Sequence, residues 1–187
     1  MYYETVLAFI LTLNWSMHKA IDALLCTATM RKVLHVGPVK TPGGMGRVIQ
    51  ILSAAPPEGW KADTLDSHST GNVFSKLFAW NSAKKFISKN AHNYDIIHFH
   101  SAAHFSFRRK ISLLKIAEKQ GAMTVFHIHS GAFKEINYKN LPLKVLAETN
   151  VVTLSKTWAQ RYLKIMGPST AIINPVDPTI TPGKNRV

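Results

Sequence analysis

The chain has 187 residues, of which 46% are apolar, 10% aromatic and 18% charged, the composition of one folded globular domain. Collagen-like, low-complexity and disordered classes are excluded, and the single cysteine, Cys26, excludes an internal disulfide. Against 10 Asp and Glu stand 23 Lys and Arg, a net charge of +13, so an anionic partner is expected: nucleic acid, an anionic membrane surface or a phosphorylated small molecule. A lone cysteine and no recognisable export signal point to a reducing cytoplasm.

Residues 1–29 carry two apolar patches, Thr5 to Leu13 and Ala20 to Cys26, broken by Asn14, His18, Lys19 and Asp22. Neither reaches the roughly 18 to 20 apolar residues that span a bilayer. The only early charge is Glu4, where a secretory signal would carry positive charge. The segment reads as an extension of the domain, either a helix packed on it or lying in a membrane interface, or residues upstream of a start at Met30.

From Met30 onward, short β-branched runs alternate with helix-length amphipathic stretches, which predicts a parallel sheet covered by helices over residues 30–174. Strands are expected at Lys32 to Gly37, Lys61 to Asp66, Asp95 to His100, Met123 to His129, Val151 to Leu154 and Ala171 to Asn174. Helices are expected from Val48, cut short by Pro56 and Pro57, over Val73 to Lys89 and over Phe107 to Lys119. A last helix, capped by Ser155, runs to Gly167 and Pro168. In the second of these, Val73, Leu77, Trp80, Lys84 and Ile87 share a face. Residues 175–187, with Pro175, Pro178, Pro182 and Gly183, read as a hinge or tail.

Three features bear on function. After the first strand, Gly43, Gly44 and Gly46 form a glycine-rich turn opening a helix, where free backbone amides and the helix dipole favour an anion. The dinucleotide spacing and a Walker lysine are both absent. Second, His98, His100 and His104 lie near the end of one strand and His127 and His129 near the end of the next. If those strands are neighbours, four imidazoles converge at the carboxyl edge of the sheet. No Asp or Glu sits in these strand ends, so the mixed shell of a hydrolytic metal centre is not evident, and no metal is expected. Third, Arg108, Lys115 and Lys119 fall near one helix face with Arg109 and Lys110 flanking its start, a basic stripe suited to an anionic lipid surface. Nucleic acid is not expected, because the aromatics fall at core spacing and form no recognisable stacking platform.

In this order the motifs resemble the N-terminal domain of family 4 glycosyltransferases, enzymes built from two Rossmann-like domains, in the branch that makes capsular and other surface polysaccharides. The first strand with Gly43, Gly44, Met45 and Gly46 looks like that family's strand and glycine loop. Tyr94 to Ser101 resembles its D-hydrophobic-hydrophobic-H-x-H-S strand, and Ser106, Phe107, Arg109 and Lys110 follow as in the polysaccharide branch. Val125 to Gly131 with Phe133 is similar to its strand ending in His-x-His-Gly or His-x-His-Ser-Gly. Val152 to Ser155 with Trp158, and Ile172 to Asp177, match its Leu-Ser-x-x-Trp segment and its I-x-N-x-V-D hinge.

The resemblance implies an α/β, Rossmann-like parallel sheet with helices on both faces. It also implies retaining transfer of a sugar from a nucleotide sugar to an acceptor, often a lipid-linked phosphate or a glycan, with no metal or other cofactor. It places Gly43, Gly44 and Gly46 toward the donor diphosphate and His129 toward the reacting sugar. His100, Ser101, Arg108, Arg109 and Lys110 fall on the acceptor side or an anionic surface, the last three by their charge. Such an enzyme is cytoplasmic, peripheral on the inner face of the membrane. The family's Glu-x7-Glu donor motif is not in these 187 residues, so transfer is expected to need a donor-binding domain, which a separate partner could supply. The alternative is a non-catalytic module that docks on a membrane or on an intact transferase.

Overall fold

The computed structural model describes residues 30–103, 105–131, 146–147 and 149–175. The readings made for residues 1–29, His104, Phe133 and the tail beyond Pro175 lie outside the described residues. The described elements are β1 (Arg31–Gly37), α1 (Gly44–Ala54), β2 (Trp60–Asp66), α2 (Val73–Asn90), β3 (Ile96–Ser101), α3 (Phe105–Lys119), β4 (Met123–Ile128), β5 (Asn150–Thr153), α4 (Lys156–Met166) and β6 (Thr170–Ala171). A single 3-10 turn, Ala91–Asn93, joins α2 to the approach of β3.

All six strands are parallel and lie in the order β2-β1-β3-β4-β5-β6. The fold is the Rossmann-like α/β sheet that the alternating pattern predicts. Its strand order reverses between β1 and β3, and open α/β sheets bind ligands outside the carboxyl ends of the strands at such a point.

Central strands of a doubly covered sheet need apolar residues on both sides, and β3 is buried along its whole length. One face carries Leu34, Val36, Ile97, Phe99, Phe126 and Ile128 into the main core, against Ala83 and Ile87 of α2, Phe107 and Leu114 of α3, and Tyr162 and Met166 of α4. Phe107 meets Phe126 edge-on, ring centroids 5.5 Å apart. The other face carries Val33, Ile96, Val125 and Val152 into a smaller cluster with Ile172. On that side α1 packs closely, since a Cβ on Gly37 would lie 2.3 Å from Ile49 Cδ1.

Local chemistry sets the helix ends. Asn72 accepts from the Ser75 amide at 2.9 Å, and Ser155 caps α4 by accepting from the Trp158 amide at 3.2 Å. Gly167, at φ 77, closes α4, and α1 stops at Ala54 ahead of Pro56.

Two expectations need correction. The last strand is only Thr170–Ala171, and Ile173 is exposed. On α2, Trp80 and Ile87 face the core but Val73 and Leu77 do not, being 67% and 44% exposed. The reason is length: an 18-residue helix runs about 27 Å, whereas strands of six or seven residues run about 20 to 23 Å. Helices return antiparallel to the strands, so the overhanging turns of α2 are its first ones, beyond the carboxyl edge. No helix among the described residues is long and apolar enough to cross a membrane.

Candidate functional site at the carboxyl edge

The turn between β1 and α1 begins at the reversal point. Gly43 stands just ahead of α1 at φ 146, a conformation open to glycine alone, and no side chain caps the helix there. Around Gly43 and Gly44 a Cβ would meet nothing within 4 Å, so the backbone here is open to an approaching group. Gly46 differs. It is buried, and a Cβ on it would lie 2.7 Å from the Thr41 carbonyl and 3.0 Å from that of Pro38. Its role is to let the turn fold onto the first turn of α1, so of the three glycines assigned to the diphosphate only Gly43 and Gly44 face outward.

β3 and β4 are neighbours, with His100 opposite His127, so the paired histidines do converge. A fifth joins them: His35 on β1 lies opposite His98. His35 Nδ1 is 3.1 Å from His100 Nε2, and His100 Nδ1 is 3.0 Å from His129 Nε2, a chain of three rings. His98 and His127 lie parallel with centroids 5.5 Å apart, and His127 and His129 are 4.0 Å apart. His35, His98, His100 and His127 are buried, while His129, just past β4, is half-buried. Burial holds His35 and His129 down to about 4, against a smaller upward pull on His129 from the Asn174 carboxamide. Burial, reinforced by neighbouring rings, holds His98, His100 and His127 well below the ordinary histidine range. The rings are therefore neutral at pH 7.

Ser101 is wholly buried at the end of β3. Its carbonyl accepts the His129 amide at 2.7 Å, so it sets the position of His129. Gly131 follows, and a Cβ there would lie 2.4 Å from the Trp158 ring, so only a glycine lets the indole pack against this turn.

The basic stripe divides. Arg108, Lys115 and Lys119 are exposed, as expected. Lys110 is not on the surface: it is 1% exposed and donates to the buried Ser67 hydroxyl. Lys110 lies three residues after Phe107 and four before Leu114, so it shares their inward face. Burial, then the adjacent Arg109 charge, pull it down to about 7, partly opposed by Asp66. Arg109 is half-buried and donates to His68 Nδ1 at 3.2 Å, with its Nε buried and without a hydrogen-bond partner. His68 is held below its usual value by burial and by the charges of Arg109, Lys76 and Lys110. A basic group of Arg109, His68 and Lys76 thus lies past the end of β2, beside the glycine turn through Asp66, which accepts from the Lys40 amide at 3.2 Å.

The expectation that the aromatics lie at core spacing fails at this edge. Phe74 and Phe78 on the first turns of α2, and Phe105 at the start of α3, are 81%, 75% and 80% exposed. No sequence signal separates them from core phenylalanines, because the helical spacing is the same.

No family model matches the sequence, and no curated protein matches it. Among solved structures, one similar chain comes from Salmonella typhimurium and carries the provisional description phosphosugar isomerase. The match has 12% identity and a TM-score of 0.34, covering 66% of this chain and 32% of that one. A likeness so slight carries no argument about function, and the present chain spans about a third of that protein's length.

Proposed function

We propose that residues 30–174 are the acceptor-side half of a retaining glycosyltransferase of the family 4 kind, moving a sugar from a nucleotide sugar to a lipid-linked or glycan acceptor. The observation that carries the reading is the meeting of motifs far apart in the chain. The open glycine turn after β1, His100 on β3 and His129 after β4 come to one carboxyl edge, at the point where strand order reverses. Six sequence motifs in the family's order support it.

In this reading, the amides at Gly43 and Gly44 meet the donor diphosphate with the α1 dipole behind them. His129, neutral and held by the Ser101 carbonyl, presents its ring to the reacting sugar. Arg109, with His68 and Lys76 beside it, meets an acceptor phosphate. Neutralising the leaving diphosphate falls to a donor-binding domain, and charge fixed in place at a leaving group commonly supplies most of the rate enhancement in such catalysis.

The test is reconstitution. The full chain is mixed with a donor-binding domain from a family 4 enzyme, a bacterial membrane-lipid extract and radiolabelled UDP- and GDP-sugars, and labelled lipid or glycan product is counted. Transfer should appear, and His129→Ala should lower it roughly a hundredfold or more with an unchanged circular dichroism spectrum. Full activity in His129→Ala would remove the assigned role.

The exposed phenylalanines favour one second reading, a module that docks on a membrane and does no chemistry. It gains support if vesicles bind the chain while no donor domain or sugar ever yields product.

A further inference from the structure

The histidine cluster contains more unsatisfied nitrogen than a packing role explains. Both ring nitrogens of His127, Nδ1 of His129 and Nε2 of His98 are buried with no hydrogen-bond partner. Buried imidazole nitrogens are ordinarily paired, so four in one cluster call for an explanation.

Two sets of three rings each bring one nitrogen per ring within 4.8 Å of the others: His35, His98 and His100, and His100, His127 and His129. The first set is buried throughout and offers an ion no entry. The second has the half-buried His129 at its outer end.

Behind the second set, His35 is placed to orient His100 as ligand shells are oriented, where a ligating histidine donates its other N–H to a fixed acceptor. His100 Nε2 faces His35 Nδ1 at 3.1 Å, and the Asn174 carboxamide, its oxygen unpaired, lies by His129. The front pair, His100 Nδ1 and His129 Nε2, lie 3.0 Å apart and share one proton when no ion is bound. Two ring nitrogens on a tetrahedral ion with bonds near 2.0 to 2.1 Å stand about 3.3 Å apart, so an ion that replaces the shared proton requires the rings to separate by a few tenths of an ångström and to tilt toward it. His127 supplies a third nitrogen.

We propose that His100, His127 and His129 bind one divalent ion of the zinc class, with His35 orienting His100. An all-imidazole set suits zinc, copper or nickel, and without carboxylates it does not suit calcium or magnesium. Such a site is no part of the sugar transfer proposed above, for which the resemblance implies no metal, and a bound ion excludes the role given there to His129. An ion here would occupy His129 and compete with any group that uses its ring.

The test uses the untagged full chain, stripped with chelator, equilibrated with zinc alone or cobalt(II) alone, gel-filtered, and assayed for metal by mass spectrometry. One ion per chain is expected, with the visible absorption of four-coordinate cobalt. His127→Gln and His129→Gln should lose the ion, and His35→Gln should weaken it roughly tenfold. His92→Gln, at an exposed histidine, should change nothing. A folded wild-type chain that retains no ion overturns the proposal. So does a His100→Gln/His127→Gln/His129→Gln triple variant that retains as much as wild type.

Discussion

Lys110 reaches the hydroxyl of Ser67 from within the core, joining α3 to the residue that follows β2. Its amine is held at about 7 by burial and the Arg109 charge, against 10.5 in an unfolded chain. Between those values the unfolded chain binds a proton that the folded one lacks, so stability rises with pH across about 7 to 10.5 and is flat in this contribution below 7. The urea midpoint should climb over that window by an amount worth a few kcal/mol. Lys110→Met should flatten most of the climb. Equal slopes in the two proteins would mean that Lys110 is charged in the fold.

The three glycines of the turn should respond differently to alanine. Gly44→Ala adds a methyl group into open space at the start of a helix and should leave stability within about 0.5 kcal/mol. Gly43→Ala meets no atom but must hold φ 146, at roughly 1 to 3 kcal/mol. Gly46→Ala drives a methyl group against the Thr41 and Pro38 carbonyls and should cost a similar amount by opening the turn. In the reconstituted transferase, Gly44→Ala should raise the donor KM while melting normally. A melting point for Gly46→Ala equal to wild type would show that the turn is looser than its contacts.

Much of this organisation is legible from the sequence for a simple reason. A doubly covered parallel sheet leaves contiguous apolar runs such as Ile96 and Ile97, and alternation along a strand puts His98 with His100 and His127 with His129. Which strand lies next to which is not written in local pattern, so His35 joins the cluster only through the β1–β3 pairing. Charge misdirects at Lys110, where helical position outweighs residue type and a buried hydroxyl receives the amine. At Phe74, Phe78 and Phe105 the spacing defines a face, but only the length of the sheet decides whether that face is covered.

The contact between Gly131 and Trp158 predicts a coupling. Gly131→Ala pushes the indole out of its seat and should destabilise the fold by roughly 1 to 3 kcal/mol. In a Trp158→Leu background the same change should cost much less, because the atoms it strikes are gone. A double-mutant cycle followed by urea unfolding measures this, and additivity within about 0.5 kcal/mol would mean that the ring moves aside freely.

The exposed phenylalanines give the last prediction. Phe74 and Phe78 lie one turn apart on α2, and Phe105 begins α3, which α2 contacts through the Trp80 Nε1 to Ser112 Oγ bond of 3.0 Å. Both helices start at the carboxyl edge, so the phenylalanines project there, on the edge that also carries Lys76 and Arg108 in the first turns of the same two helices. If the acceptor is lipid-linked, this rim should enter the headgroup region of an anionic bilayer while the site stays in water. Burying each Phe is worth about 1.5 to 3 kcal/mol, and each nearby base adds about 1 kcal/mol that salt removes. The full chain should therefore co-sediment with phosphatidylglycerol vesicles and bind phosphatidylcholine vesicles more weakly. A Phe74→Ser/Phe78→Ser/Phe105→Ser variant should lose roughly a hundredfold or more in vesicle affinity without a lower melting point, since these side chains leave nothing in the core. Unchanged sedimentation would move the membrane contact elsewhere on the chain, and a lower melting point would mean that the rim is packed in solution.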